Sequence, residues 1–230
     1  MFPFNSVVCL AGVLSLAPLV LYLLWLSLVA RRSRPTIVSG PWDFVGVLAG
    51  LSGFILFGGG LLLALMQSNF RFLFRGNFEA LRDAWAKEHL WWVLTVIAYL
   101  GFVVGGAYLA LMARRRSFVV YNVEPDHFEA ALSEVFEHLG HPVERRGNLW
   151  VGGIPLCEVE PGRAGHTATL RWLADDPLLF QEVERHLREA LGTLSPGDNP
   201  AARWISFALV ATGSVLVFLV FLLFYIRFRR

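Results

Sequence analysis

The sequence predicts a membrane all-α part of four transmembrane helices together with a small α+β domain inserted between the third helix and the fourth. Three observations carry this reading. Residues 7–30, 44–66, 90–113 and 204–226 contain no Asp, Glu, Lys or Arg, and each block reaches the roughly 20 apolar residues that cross about 30 Å of hydrocarbon. Hydrophobic residues make up 56% of the chain and its mean hydropathy is +0.55, above the roughly 45–50% apolar usage of soluble proteins. The stretch from Ser117 to Pro200 breaks the apolar pattern and holds 14 acidic against 6 basic residues, a net charge of −8.

The first block has no basic residue ahead of it and is too long for the apolar region of a signal peptide, so it reads as an uncleaved anchor. Its arginines, Arg31, Arg32 and Arg34, follow it. Trp42 opens the second block, Trp91 and Trp92 the third and Trp204 the fourth, the positions at which an indole anchors in a headgroup layer. Gly46, Gly50 and Gly53 form a small-residue stripe in the second block, and Gly101 and Gly105 form another in the third. Such stripes let helix backbones approach closely, and the expectation is that these two face each other. Between the blocks, Asn77 caps a short amphipathic helix near 77–89. With Phe70, Phe72 and Phe74 just ahead of it, that helix is expected to lie in the membrane interface. Residues 1–116 thus read as a three-span membrane region.

The domain spans 117–195. "SFVVYNV" reads as a strand, and Pro125 begins a helix whose apolar stripe is Phe128, Ala131, Leu132, Val135 and Leu139, spaced for one helical face. Gly140 and Pro142 end it. "PVERR", "GN" and "LWVGG" form a hairpin, and "LCEVE" with "TATLRW" forms a second around "PGRAG". In the last strand His166, Ala168, Leu170 and Trp172 share a face. A closing helix after "ADDP" buries Leu179, Val183, Leu187, Ala190 and Leu191. The order β-α-β-β-β-β-α predicts a mostly antiparallel sheet with helices on one face. Residues 196–203 link to the fourth span, 204–230, which ends in an arginine-rich tail.

Chemistry-bearing patterns are sparse. The four blocks hold no intramembrane charge to carry protons or ions, which argues against a pump or proton-coupled transporter built from one chain. His138, His141, Cys157 and His166 lack the paired spacing of a zinc site, and Cys9 and Cys157 are too few for a disulfide framework. The glycine-rich turns do not join a strand to a helix as a phosphate loop does. Glu158 with Glu160, and Asp175 with Asp176, read as solvated positions. No catalytic, cofactor-binding or metal-binding residue is therefore assigned, and no cofactor. Lys87 is the only lysine among 20 basic residues, a bias that suggests a GC-rich, bacterial coding sequence.

An acidic domain is repelled by polyanions, which argues against nucleic acid as a partner. The remaining residues carry 14 basic against 4 acidic groups, mostly at span ends, where arginine meets lipid phosphate. The expected partners are the lipid bilayer and either another protein or a second copy of the chain. The expected role is non-catalytic: anchoring, scaffolding or regulation, with the domain binding a protein. The alternatives are an interfacial enzyme acting on lipid or headgroup substrates through Asp43, Glu88, His89 or the edge of the domain, and an oligomeric channel or transporter subunit. Basic flanks favour the cytoplasm. The seven arginines on one side of the spans equal the seven basic residues on the other, but those following the first and third spans place the domain in the cytoplasm of a multi-pass cell-membrane protein.

Overall fold

The structure, a computed structural model, describes residues 4–32, 34–58, 78–162, 166–194 and 199–228. In order, the elements are α1 (Phe4–Ala30), β1 (Thr36–Ser39), α2 (Gly40–Gly53), α3 (Phe78–Ala113), β2 (Ser117–Tyr121), α4 (Pro125–His138), β3 (Glu144–Arg146), β4 (Leu149–Gly152), β5 (Ile154–Pro161), β6 (Thr167–Trp172), α5 (Pro177–Gly192) and α6 (Pro200–Phe228). Four helical stretches among the described residues, Cys9–Ala30, Gly40–Phe57, Val93–Ala113 and Pro200–Ile226, are long and apolar enough to cross a membrane. The chain divides into a helical unit (Met1–Leu23, Val47–Leu109 and Leu209–Arg230) and a unit built on the sheet (Leu24–Gly46 and Ala110–Ala208).

In the helical unit, α1 meets α2 along the glycines of α2. A Cβ on Gly50 would lie 2.7 Å from Cβ of Tyr22, and one on Gly53 would lie 2.5 Å from Cα of Ser15. At such distances only glycine lets the backbones come together. The pairing differs from the sequence expectation, because among the described residues a Cβ on Gly101 or Gly105 of α3 would meet nothing within 4 Å. The stripe of α2 is used against α1, and that of α3 meets none of the described residues. Beyond Gly53 the helix widens into a π-helical turn, Phe54–Gly58. A π turn shifts backbone pairing by one residue and leaves a carbonyl to be satisfied elsewhere. Tyr99 of α3 donates its hydroxyl to the Ile55 carbonyl at 2.7 Å.

The described residues expected to form a separate interfacial helix are continuous with the third apolar block: α3 is one helix of 36 residues from Phe78. Phe70, Phe72, Phe74 and Asn77 lie outside the described residues, as do the side chains of Glu88, His89 and Trp92.

In the second unit the strands follow the order β1-β2-β6-β5-β4-β3, and every pair is antiparallel. Helix α4 carries the chain from β2 to the far edge, and the β3–β6 meander brings it back. Strand turns fall at Gly147 (φ 65°) and Gly153 (φ 83°), where only glycine adopts the left-handed backbone without cost. Both domain helices begin with proline: Pro125 after Glu124, and Pro177 after Asp176, whose carboxylate accepts from the Leu178 and Leu179 N–H groups at 3.0 Å. Proline at that position gives up an N–H that would have no partner.

Four residues from the predicted loop after the first span belong to this sheet. β1 pairs with β2 in the register Ile37↔Val120 and Ser39↔Phe118, and Ile37 packs on the core. The domain is therefore larger than 117–195. Its core lies between one sheet face and α4 and α5, with Phe118, Phe128, Leu132, Phe136, Leu170, Val183, Leu187 and Leu191 at 1% exposure or less. At its centre Phe136 stacks between Trp150 and Trp172, with centroids 6.2 and 6.3 Å away. Phe136 follows Phe128 and Leu132 at intervals of four, and the sequence stripe omitted it.

Two predictions follow from this packing. Gly50→Leu should lower the melting temperature of the detergent-purified protein by several degrees, while Gly105→Leu leaves it unchanged; equal effects would refute the α1–α2 contact. Phe136→Ala should cost about 3–5 kcal/mol, as removal of a buried phenyl ring does. The readout is maleimide labelling of Cys157, which is fully buried, during a thermal ramp in a Cys9→Ala background.

Candidate functional site

The densest polar constellation lies where β1 and β2 meet the helix ends of the sheet unit. β2 ends at Tyr121, and Asn122 follows with φ of 65°, a left-handed conformation that asparagine tolerates better than most residues. Asn122 is 2% exposed. Its amide nitrogen donates to the Arg32 carbonyl just beyond α1, and its amide oxygen accepts from Nδ2 of Asn199 at 3.1 Å. Asn199 in turn caps α6, its Oδ1 accepting from the Ala201 N–H at 2.9 Å. One buried side chain thus joins the strand, the end of α1 and the start of α6. Satisfying a helix's first N–H groups in this way stabilises it by about 0.5–2 kcal/mol.

Tyr121 donates its hydroxyl to the carboxylate of Asp43 in the first turn of α2, and its ring meets Trp25 of α1 edge-on at 6.3 Å. Asp43 is 8% exposed. A carboxylate at a helix N-terminus is held by both the hydroxyl and the helix dipole. Gly40 sits so close to the end of α3 that a Cβ there would lie 2.0 Å from Oγ of Ser117 and 3.0 Å from the Arg114 carbonyl. The Arg114 guanidinium stands 4.9 Å above the Phe44 ring. Arg31 donates to Ser206 of α6 at 2.8 Å, and Ser206 also lies 3.3 Å from Ser27.

The residues considered for chemistry are distributed differently. Asp43, the acid offered for an interfacial enzyme, is bound to Tyr121. Asp175 pairs with Arg116 at 2.8 Å and Asp176 caps α5. Among the described residues no three His, Cys, Asp or Glu groups are placed to hold a metal ion. His138 meets His186, with ring centroids 5.4 Å apart, and His141 is exposed at the end of α4. His166 contributes its carbonyl, which accepts from the Asn122 and Val123 N–H groups. Burial pushes the Cys157 thiol up to about 12 from 9.0, so it stays protonated and poorly nucleophilic near neutrality. A groove of about 410 Å³ runs between α4 and α5, lined by His127, Ala130, Glu134, Ala190, Thr193 and Leu194 among others. Trp42, Trp91 and Trp204 are 72%, 68% and 74% exposed, and Gly46 is half-buried in α2.

Sequence reading missed the role of Asn122 and Asn199. The available signals were an asparagine directly after a strand, suited to a left-handed turn, and an Asn-Pro pair opening an apolar helix. Comparison with protein-family models, curated proteins and solved structures finds no match to this chain.

Asn122→Ala should destabilise the sheet unit by about 2–3 kcal/mol, since it strands a carbonyl and an amide and strains the backbone. Asn122→Gly should lose less, because glycine accepts the same φ; both are read from the Cys157 protection midpoint. The thiol also sets a pH dependence. Its pKa is higher folded than unfolded, so from pH 9 to about 12 the folded chain keeps a proton that the unfolded chain releases. Stability attributable to this group is complete below pH 9 and falls above it, by at most about 1.4 kcal/mol per pH unit. Cys157→Ala should remove that slope from urea midpoints measured between pH 8.5 and 10.5.

Proposed function

We propose that this chain is a four-span integral membrane protein whose sheet unit is a non-catalytic docking platform for another protein, serving an anchoring, scaffolding or regulatory role. The observation that carries the reading is the buried junction of Asn122, Asn199, Tyr121 and Asp43. It commits these four side chains to hydrogen bonds within the chain, and so ties the end of β2 to the helix ends of the same unit. A catalytic carboxylate or amide would need an open face toward a substrate. Residues 117–200 carry a net charge of −8, and the α4–α5 groove is lined in part by Glu134 and His127. A partner presenting basic side chains fits this charge. The unit lies in the cytoplasm, the side favoured by the arginines that follow α1 and α3.

Affinity capture in a mild detergent tests the role. A single heterologous protein should co-purify in stoichiometric amount, and Glu134→Arg should release it. Capture of copies of the chain alone would sink the platform reading. Sidedness is tested at Asn148, exposed in the β3–β4 turn. In a Cys9→Ala background, Asn148→Cys should react with membrane-impermeant maleimide only after the cells are permeabilised.

A further inference from the structure

Seven arginines stand at the helix ends of the sheet unit: Arg31, Arg32, Arg34, Arg114, Arg115, Arg116 and Arg203, and all are exposed. They come from separate parts of the chain, and named contacts bring them to one level. Arg31 reaches Ser206 of α6, three residues beyond Arg203. Asn122 holds the Arg32 carbonyl and, through Asn199, the start of α6. Gly40, which opens α2, abuts the Arg114 carbonyl, and Arg114 itself lies over Phe44. Among the described residues Asp43 is an acid in this layer, and it is buried and bonded to Tyr121. Arg116 is balanced by Asp175. Among the described residues no acidic side chain pairs with Arg31, Arg32, Arg34, Arg114 or Arg115, although the rest of the unit has a large acidic excess.

We propose that this arginine collar binds the phosphate groups of anionic phospholipids in the leaflet on the sheet unit's side. The proposal rests on the membrane reading above. The charge is placed at the ends of apolar helices, the level at which phospholipid phosphates lie. A guanidinium offers a planar fork of donors to a phosphate and holds it more specifically than a point charge does. The acidic body of the unit acts in the opposite sense and is repelled by the same leaflet. Attraction at the collar and repulsion beyond it together hold the unit off the membrane surface, with its α4–α5 groove in water.

The test uses the full-length protein, delipidated in dodecyl maltoside and titrated by native mass spectrometry with phosphatidylglycerol, phosphatidylcholine or inorganic phosphate. Phosphatidylglycerol should bind at least about fivefold more tightly than phosphatidylcholine, and removing each arginine should cost about fivefold. Arg34→Gln with Arg115→Gln should thus weaken phosphatidylglycerol about 25-fold, whereas the Arg→Lys pair retains most of the preference. Cys157 protection verifies that both variants are folded. Equal binding of the two lipids, or an unchanged affinity in the Gln pair, would overturn the collar. Saturation by inorganic phosphate at the same concentrations would overturn the lipid as its ligand. Carbonate washing of membranes separates the two readings. Release of the protein defeats both, and retention without lipid preference defeats the collar alone.

Discussion

The structure turns on a constraint that every helix end shares: its last carbonyls and first N–H groups have no partner within the helix. Here those ends adjoin a folded sheet, and a buried unpaired backbone group costs about 1–3 kcal/mol. Asn122 works beside two such ends, its nitrogen on the Arg32 carbonyl just past α1 and its oxygen on Asn199, whose side chain caps α6. The left-handed backbone at Asn122 directs the side chain away from the run of β2. Tyr121, the preceding residue, holds the Asp43 side chain in the first turn of α2. Two consecutive residues at the end of one strand therefore organise three helix termini.

The aromatic core and the polar junction divide the work. A domain of about 80 residues buries a limited core, and this one concentrates it in the Trp150–Phe136–Trp172 stack. The loop after α1 adds β1, which covers the outer edge of β2 and contributes Ile37 to the core. An uncovered β2 would offer a row of unpaired backbone groups to any passing strand. At the opposite edge β3 is only three residues long, Glu144, Arg145 and Arg146, all exposed and charged. Charge and short length protect that edge where no strand covers it.

Much of this was legible in the sequence because it depends on local pattern. The four apolar blocks, the β-α-β-β-β-β-α order, the Gly147–Asn148 turn and the two helix stripes all follow from spacing and turn chemistry. What escaped depends on partners distant in sequence. "TIVS" is rich in β-branched residues but too short to stand out between two spans, and its strand partner is Tyr121 and its neighbours. The glycines of α2 and α3 carry the same signature, yet only packing decides that Gly50 meets Tyr22 while Gly105 meets none of the described residues. Asp43 looked like a span-edge acid available for chemistry, and its hydroxyl partner lies 78 residues away. Function was less legible still, since the buried Asn122 and Asp43 side chains are hydrogen-bonded within the chain.

The position of β1 has a consequence for the order of assembly. The bond from Asn122 to Arg32 joins residues 90 apart, and α2 and α3 both lie within the loop it closes. Loop closure costs entropy that grows slowly with length, and contacts so distant in sequence form late. During synthesis β1 emerges first and waits without its neighbour until the helices behind it and then β2 have been made. The edge of the sheet therefore closes only after the whole stretch between Ser39 and Ser117 has been made, so β1 is the first strand of the sheet to emerge and one whose pairing waits on more than 70 residues of following chain.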